Sequence, residues 1–236
     1  MFASIPLHVR CLVLLASSLS TNFVVAADIP TATPSIERTS DWRVSVRHFS
    51  ESNLKHPAWG WSHSVRDYVL AKELAAADHV DLDDDVLYAA AYLHDVAAFA
   101  PFRKPNVDHQ DEAAQIVGEM LEGTGFPMSK IDAVRGAIRT HMFERDPTGP
   151  EAIYLHDADA LDWLGGIGVA RIFGLVDPNG GMPDGPAAVK RLETFLANVP
   201  AHIISPAGKA RSPKRARELE LFLQNLRAES ADLRSL

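Results

Sequence analysis

The sequence predicts an all-α bundle, and three observations carry that reading. Apolar positions recur at helical spacing: Leu87, Ala90, Ala91 and His94 fall at i, i+3, i+4 and i+7 of one face. No stretch shows the sustained two-residue alternation with β-branched side chains that marks a half-buried strand. The composition, 47% apolar and 23% charged over 236 residues, is that of a globular chain with enough apolar surface for one full core.

Residues 1–27 read as a secretory signal peptide. Arg10 supplies a positive charge, an apolar stretch runs from Cys11 to Ala26, and Val24-Val25-Ala26-Ala27 offers small side chains for cleavage. Ser17, Ser18, Ser20, Thr21 and Asn22 interrupt that stretch and argue against a retained anchor. A secreted or periplasmic protein without stable membrane anchoring is expected. Cys11 is the sole cysteine, so neither a disulfide framework nor a cysteine-based zinc site is available. Residues 28–40, rich in Pro, Thr and Ser, read as a flexible linker, and residues 41–236 as one domain.

Within that domain the first helix is expected over residues 41–52. A second, capped by Ser62, is expected over 63–77. Asp81, Asp83, Asp84 and Asp85 put negative charge at the start of a third, 86–95, where the helix dipole favours it. A fourth spans 108–121 and stops near Gly123 and Gly125. Ser129 and Asp132 are spaced as in a capping box and open a fifth, to about 141. The remainder divides into helices over 150–173, 186–197 and 213–229. Gly165, Gly166 and Gly168 fall inside the first of these, each costing about 1 kcal/mol relative to Ala. Close helix packing explains them better than a phosphate loop, which needs a preceding strand.

Acidic residues outnumber basic ones by 31 to 23, a net charge of −8, which excludes nucleic-acid binding by bulk electrostatics. No apolar run in the body of the chain is long enough for a multi-span membrane protein. The chemistry lies in the histidines. His94-Asp95 closes an apolar helical run, His63 opens a helix, His109 and His141 stand at helix ends, and Asp157, Asp159 and Asp162 sit in an otherwise apolar helix. Helical bundles build core metal sites in this way.

These residues resemble the HD-domain metal-dependent phosphohydrolases, specifically the bacterial nucleotide pyrophosphohydrolase-like branch. The matching stretches are His63-Ser64-Val65-Arg66, Leu93-His94-Asp95, Asp108-His109 with Ala113, Ile138 with His141, and the segment from Asp157 to Arg171. The resemblance implies an HD-domain helical bundle with a metal between core helices, held by His63, His94, Asp95 and a later aspartate. The frame Ala158-Asp159-Ala160-Leu161 favours Asp159 as that ligand, with Asp157 as the alternative or as a hydrogen-bond partner of a ligand histidine. Such a nitrogen–oxygen set suits Mn²⁺ first, with Fe²⁺, Co²⁺, Ni²⁺ and Zn²⁺ as alternatives. Asp95 would also orient or deprotonate a water. Arg66 would hold a phosphate oxygen of a small phosphorylated substrate, and Lys104, with Arg103, would reach a second.

His109 and His141 either contact substrate or hold a second metal. The order His, His-Asp, His, His, Asp is shared with oxygen-dependent di-iron relatives, so a di-iron oxygenase is the rival reading; a metal- or ligand-binding module without turnover is a third. Stringent-response hydrolases place an acidic pair where this chain has Ala98-Phe99, which argues against their reaction. Asp67 stands where the close branch usually carries an apolar residue.

Overall fold

A computed structural model describes residues 33–236; the expected signal peptide and the first part of the linker lie outside the described residues. All regular structure among the described residues is helical. The nine α-helices are α1 (Trp42–Asn53), α2 (Trp61–Ala77), α3 (Asp84–Leu93), α4 (His109–Leu121), α5 (Ile131–Arg139), α6 (Pro150–Asp162), α7 (Gly165–Phe173), α8 (Gly185–His202) and α9 (Pro206–Glu229). None of them is long and apolar enough to cross a membrane.

The helices α2, α3, α5 and α6 form the centre, with α1 packed on α3 and α4 on α5; α7, α8 and α9 pack on one another, and α9 also meets α6 and α2. α3 explains the centre. Its residues from Val86 to Leu93 are all buried, and Ala89, Ala90 and Ala91 are small enough for neighbours to approach on several sides. Asp83 caps it, its carboxylate accepting from the backbone N–H groups of Asp85 and Val86. Asp84 and Asp85 then tie α3 outward through Arg43 of α1 at 2.7 and 2.6 Å.

Three boundaries differ by more than two residues from those the sequence predicts, and the caps expected at Ser62 and Ser129 are not made, Gly60 preceding α2 and Lys130 preceding α5 without a side-chain bond. The helix expected over 150–173 is two helices, because the chain turns at Trp163 and Leu164 and Gly165 takes φ +65°, which favours glycine. A Cβ at Gly168 would collide with the Trp163 carbonyl oxygen, so this glycine permits the turn to close. α8 continues through Pro200 to His202, and α9 begins at Pro206 instead of Pro213. Ser205 caps α9 by accepting from the Gly208 N–H, which makes Pro206 the residue at the first helical position, where its missing N–H costs nothing. Residues 33–40, read as linker from their composition, lie against the domain: Ile36 is buried in the core and Thr39 bonds Ser45 of α1.

Candidate metal centre

α6 is buried along its whole second half, although it carries His156, Asp157, Asp159 and Asp162 there. Buried charges need partners, and each finds different ones. Asp157 accepts from the Ile204 and Ser205 backbone N–H groups at 3.0 and 2.7 Å and from the Ser205 hydroxyl at 2.6 Å, with His156 Nδ1 at 2.9 Å. It thus fastens the α8–α9 junction. Asp159, two residues on, leaves the helix on another side and meets His63. Asp157→Ala is therefore expected to lower the melting temperature while leaving metal content unchanged, whereas Asp159→Ala should lose the metal. Elemental analysis and thermal melts of the two variants check this.

Three histidines are oriented through Nδ1. That nitrogen lies 2.9 Å from Asp162 Oδ2 in His63, 2.8 Å from the Ala91 carbonyl in His94 and 2.7 Å from the Ile138 carbonyl in His141. These oxygens accept, so Nδ1 carries the proton, and in the neutral ring Nε2 is the lone-pair nitrogen. The Nε2 atoms converge with carboxylates. His63 Nε2 is 3.3 Å from His94 Nε2, 3.1 Å from Asp159 Oδ1, 3.1 Å from Asp67 Oδ2 and 3.8 Å from Asp95 Oδ2. Lone pairs and carboxylate oxygens facing one another at these distances call for a cation among them, and the sulfur-free N/O donor set fits a divalent transition ion. Arg171 Nη2 also reaches His63 Nε2, at 3.2 Å.

Asp95 divides its two oxygens. Oδ2 lies 3.3 Å from His94 Nε2, while Oδ1 lies 3.0 Å from His109 Nε2 and 3.6 Å from His141 Nε2. Burial opposes its charge, yet His94, His109 and His141 together hold its carboxyl well below the usual carboxylate range. Burial likewise opposes the charge on Asp159, and His63 outweighs it. Asp67 moves the other way: burial, with Asp162 and Asp159 nearby, pushes it well above that range. His94, for which burial favours the neutral ring, is held above its ordinary value by Asp95, while burial keeps His141 below.

Asp162 orients His63 and is itself gripped by Arg66, through Nε at 3.0 Å and Nη2 at 2.8 Å, and by Arg171 Nη1 at 3.1 Å. Arg66 is thereby turned away from the role expected of it. It borders a separate groove with Arg211 and Arg215, away from the cavity beside the ligands. Lys104 pairs with Glu112 at 2.7 Å and Arg103 Nε donates to the Ala98 carbonyl, and neither lines that cavity.

The cavity, of about 350 Å³, has Asp95, His109, His141 and Asp159 on its floor. Trp59, Trp163 and Phe195 wall it, the last two stacked at 4.8 Å, and the exposed Arg191 stands above Phe195. A larger cavity, about 720 Å³, lies between residues 33–38 and α4 and is lined by none of the clustered histidines. Sequence reasoning missed Arg191 and the cavity role of Trp163. Neither left a signal, since a lone arginine on an amphipathic helix reads as a solvated charge. Arg171 was visible as the end of a motif, but its role was not.

A family profile described as "HD domain" matches residues 60–164. No curated protein matches the sequence. Among solved structures, a Lactobacillus plantarum protein is 22% identical, covering 83% of this chain and 99% of its own, with a TM-score of 0.61. A predicted HD superfamily hydrolase from an uncultured Thermotogales bacterium is 25% identical over 79% of this chain and 90% of its own, with a TM-score of 0.55. Bacillus subtilis YpgQ in complex with ADP is 20% identical over 79% of this chain and 97% of its own, with a TM-score of 0.61. Residues 60–164, which gather His63, His94-Asp95 and Asp159 between α2, α3 and α6, match the HD domain, and the chain shares the fold of these solved structures.

Proposed function

We propose that the protein is a divalent-metal-dependent phosphohydrolase that cleaves a phosphoester or phosphoanhydride bond in a small phosphorylated molecule, a nucleotide being the best fit. The observation that carries this reading is the junction of the His63, His94, Asp95 and Asp159 cluster with the floor of an aromatic-walled cavity. A divalent ion bound there would lower the pKa of a water and offset charge on a phosphoryl group. Asp95, held ionised and lining the cavity, accepts a hydrogen bond from an incoming water and orients it. His109 and His141 flank the same carboxylate oxygen, Oδ1, and line the cavity where a phosphate would sit. Trp59, Trp163 and Phe195 give the cavity apolar aromatic walls for a base, and Arg191 supplies positive charge to a phosphate. The ADP bound by YpgQ supports a nucleotide. With an N-terminal signal, the substrate would be met outside the cytoplasm, as an extracellular nucleotide or another phosphoester.

The test is a panel of phosphoesters and nucleoside mono-, di- and triphosphates offered to the protein loaded with Mn²⁺, Co²⁺, Ni²⁺ or Zn²⁺. Phosphate release from one class is the expected result; inertness toward every member overturns the reading. Arg191→Ala should raise KM for the preferred substrate about tenfold with kcat little changed, the loss of one charged hydrogen bond in binding.

One observation favours a second reading. Asp95 turns one oxygen to the His63–His94 pair and the other to the His109–His141 pair, as a carboxylate shared by two ions would. About two irons per chain with substrate-dependent oxygen uptake would make the oxygenase reading the leading one.

A further inference from the structure

Asp67 stands one helical turn beyond His63 on α2, so the two side chains leave the same face. It is 0% exposed, and neither of its carboxylate oxygens accepts a hydrogen bond. A buried carboxylate without a donor is costly, and proteins keep one where something else compensates it. Asp67 Oδ2 faces His63 Nε2 at 3.1 Å and His94 Nε2 at 3.8 Å, both lone-pair nitrogens. Ligand atoms of His63, Asp67, His94 and Asp159 all lie within 4.8 Å of one another. Orientation of His63 does not explain Asp67, because Asp162 already performs it through Nδ1.

We propose that Asp67 is a direct ligand of the same ion that His63, His94 and Asp159 hold. The inference rests on the metal-site reading above and adds a residue to it. A histidine and a carboxylate at i and i+4 grip one ion from a single helix face, as paired histidines at that spacing do in helical zinc sites. With Asp95 the set becomes two imidazoles and three carboxylates. That leaves one position on a six-coordinate ion and shifts preference toward hard, oxygen-seeking ions such as Mn²⁺ over Zn²⁺.

The test is titration of the metal-stripped full chain with Mn²⁺ alone, for wild type, Asp67→Asn and Asp67→Val, with melting curves before and after. Both variants should bind Mn²⁺ at least about tenfold more weakly. Metal-stripped Asp67→Val should melt at or above the wild-type temperature, since a buried group without donors has been removed. The rise in melting temperature on adding Mn²⁺ should shrink in both. Wild-type affinity in both variants overturns the proposal, as does weaker binding accompanied by a lower metal-stripped melting temperature, which would make Asp67 a packing group. A wild-type chain that takes up no Mn²⁺ overturns the metal site itself. Loss of binding in His63→Ala with both Asp67 variants intact overturns Asp67 alone.

Discussion

His94→Ala is expected to strip the ion from the protein and lower kcat/KM by at least about a thousandfold, roughly 4 kcal/mol of transition-state stabilisation. His94 is fully buried, its Nδ1 is committed to the Ala91 carbonyl, and its Nε2 faces His63 and Asp95. Metal content and turnover measured on the same sample check the result: full metal occupancy in the variant would refute the assignment. The same geometry sets a pH dependence. Burial disfavours a charged His94, but Asp95 outweighs it and holds the pKa above the ordinary imidazole value. Protons therefore compete with the ion at this nitrogen, and affinity falls as the pH is lowered. Calorimetric titrations at two pH values, in buffers of different ionisation heat, should register the proton released on binding.

The second large effect is expected at Asp162. Its carboxylate accepts from His63 Nδ1, Arg66 and Arg171, and Arg171 is buried beside it, stacked 3.5 Å from the Trp163 ring centroid. Asp162→Ala leaves a buried guanidinium without its counter-charge, a loss of about 3–5 kcal/mol. It also frees the His63 ring to rotate, so metal affinity should fall about 10–100-fold. Denaturant unfolding and Mn²⁺ titration read the two effects separately. Unchanged affinity in the variant would show that His63 is held by something other than Asp162. Asp162→Asn keeps an acceptor for Nδ1 and should recover part of the affinity while remaining less stable.

The buried histidine–aspartate cluster and the helical class were legible for a physical reason. His94-Asp95 at the end of an apolar run and Asp159 in a buried helix are polar groups placed where water is absent, a cost that a sequence displays openly. Asp67 was conspicuous only as a departure, because a single carboxylate on a helix normally reads as a solvated charge. Arg66 stands one turn from His63, and spacing alone aims it at the substrate. Its partner Asp162 is distant in sequence, and only tertiary packing brings the two together. The break at Trp163–Gly165 was hidden because the apolar pattern continues through it; what breaks the helix is a left-handed glycine, which periodicity does not record. Of the two prolines that begin or interrupt α9, only the one preceded by a capping serine marks the start.

The Asp157 fastening has a consequence for how this protein can change. The HD profile ends at residue 164, yet Ile172, Leu175, Met182, Arg191 and Phe195, which wall the cavity, belong to the segment after it. The clustered histidines and aspartates and much of the cavity wall thus lie in different stretches of the chain. Substitution of the later wall residues, Arg171 apart, should reshape the cavity while His63, His94, Asp95 and Asp159 keep their places. The tie between the two is a carboxylate two positions from Asp159, so a truncation or a transplanted tail that forfeits the Ile204 and Ser205 contacts would loosen the α8–α9 junction from α6 and leave Asp157 buried without its donors.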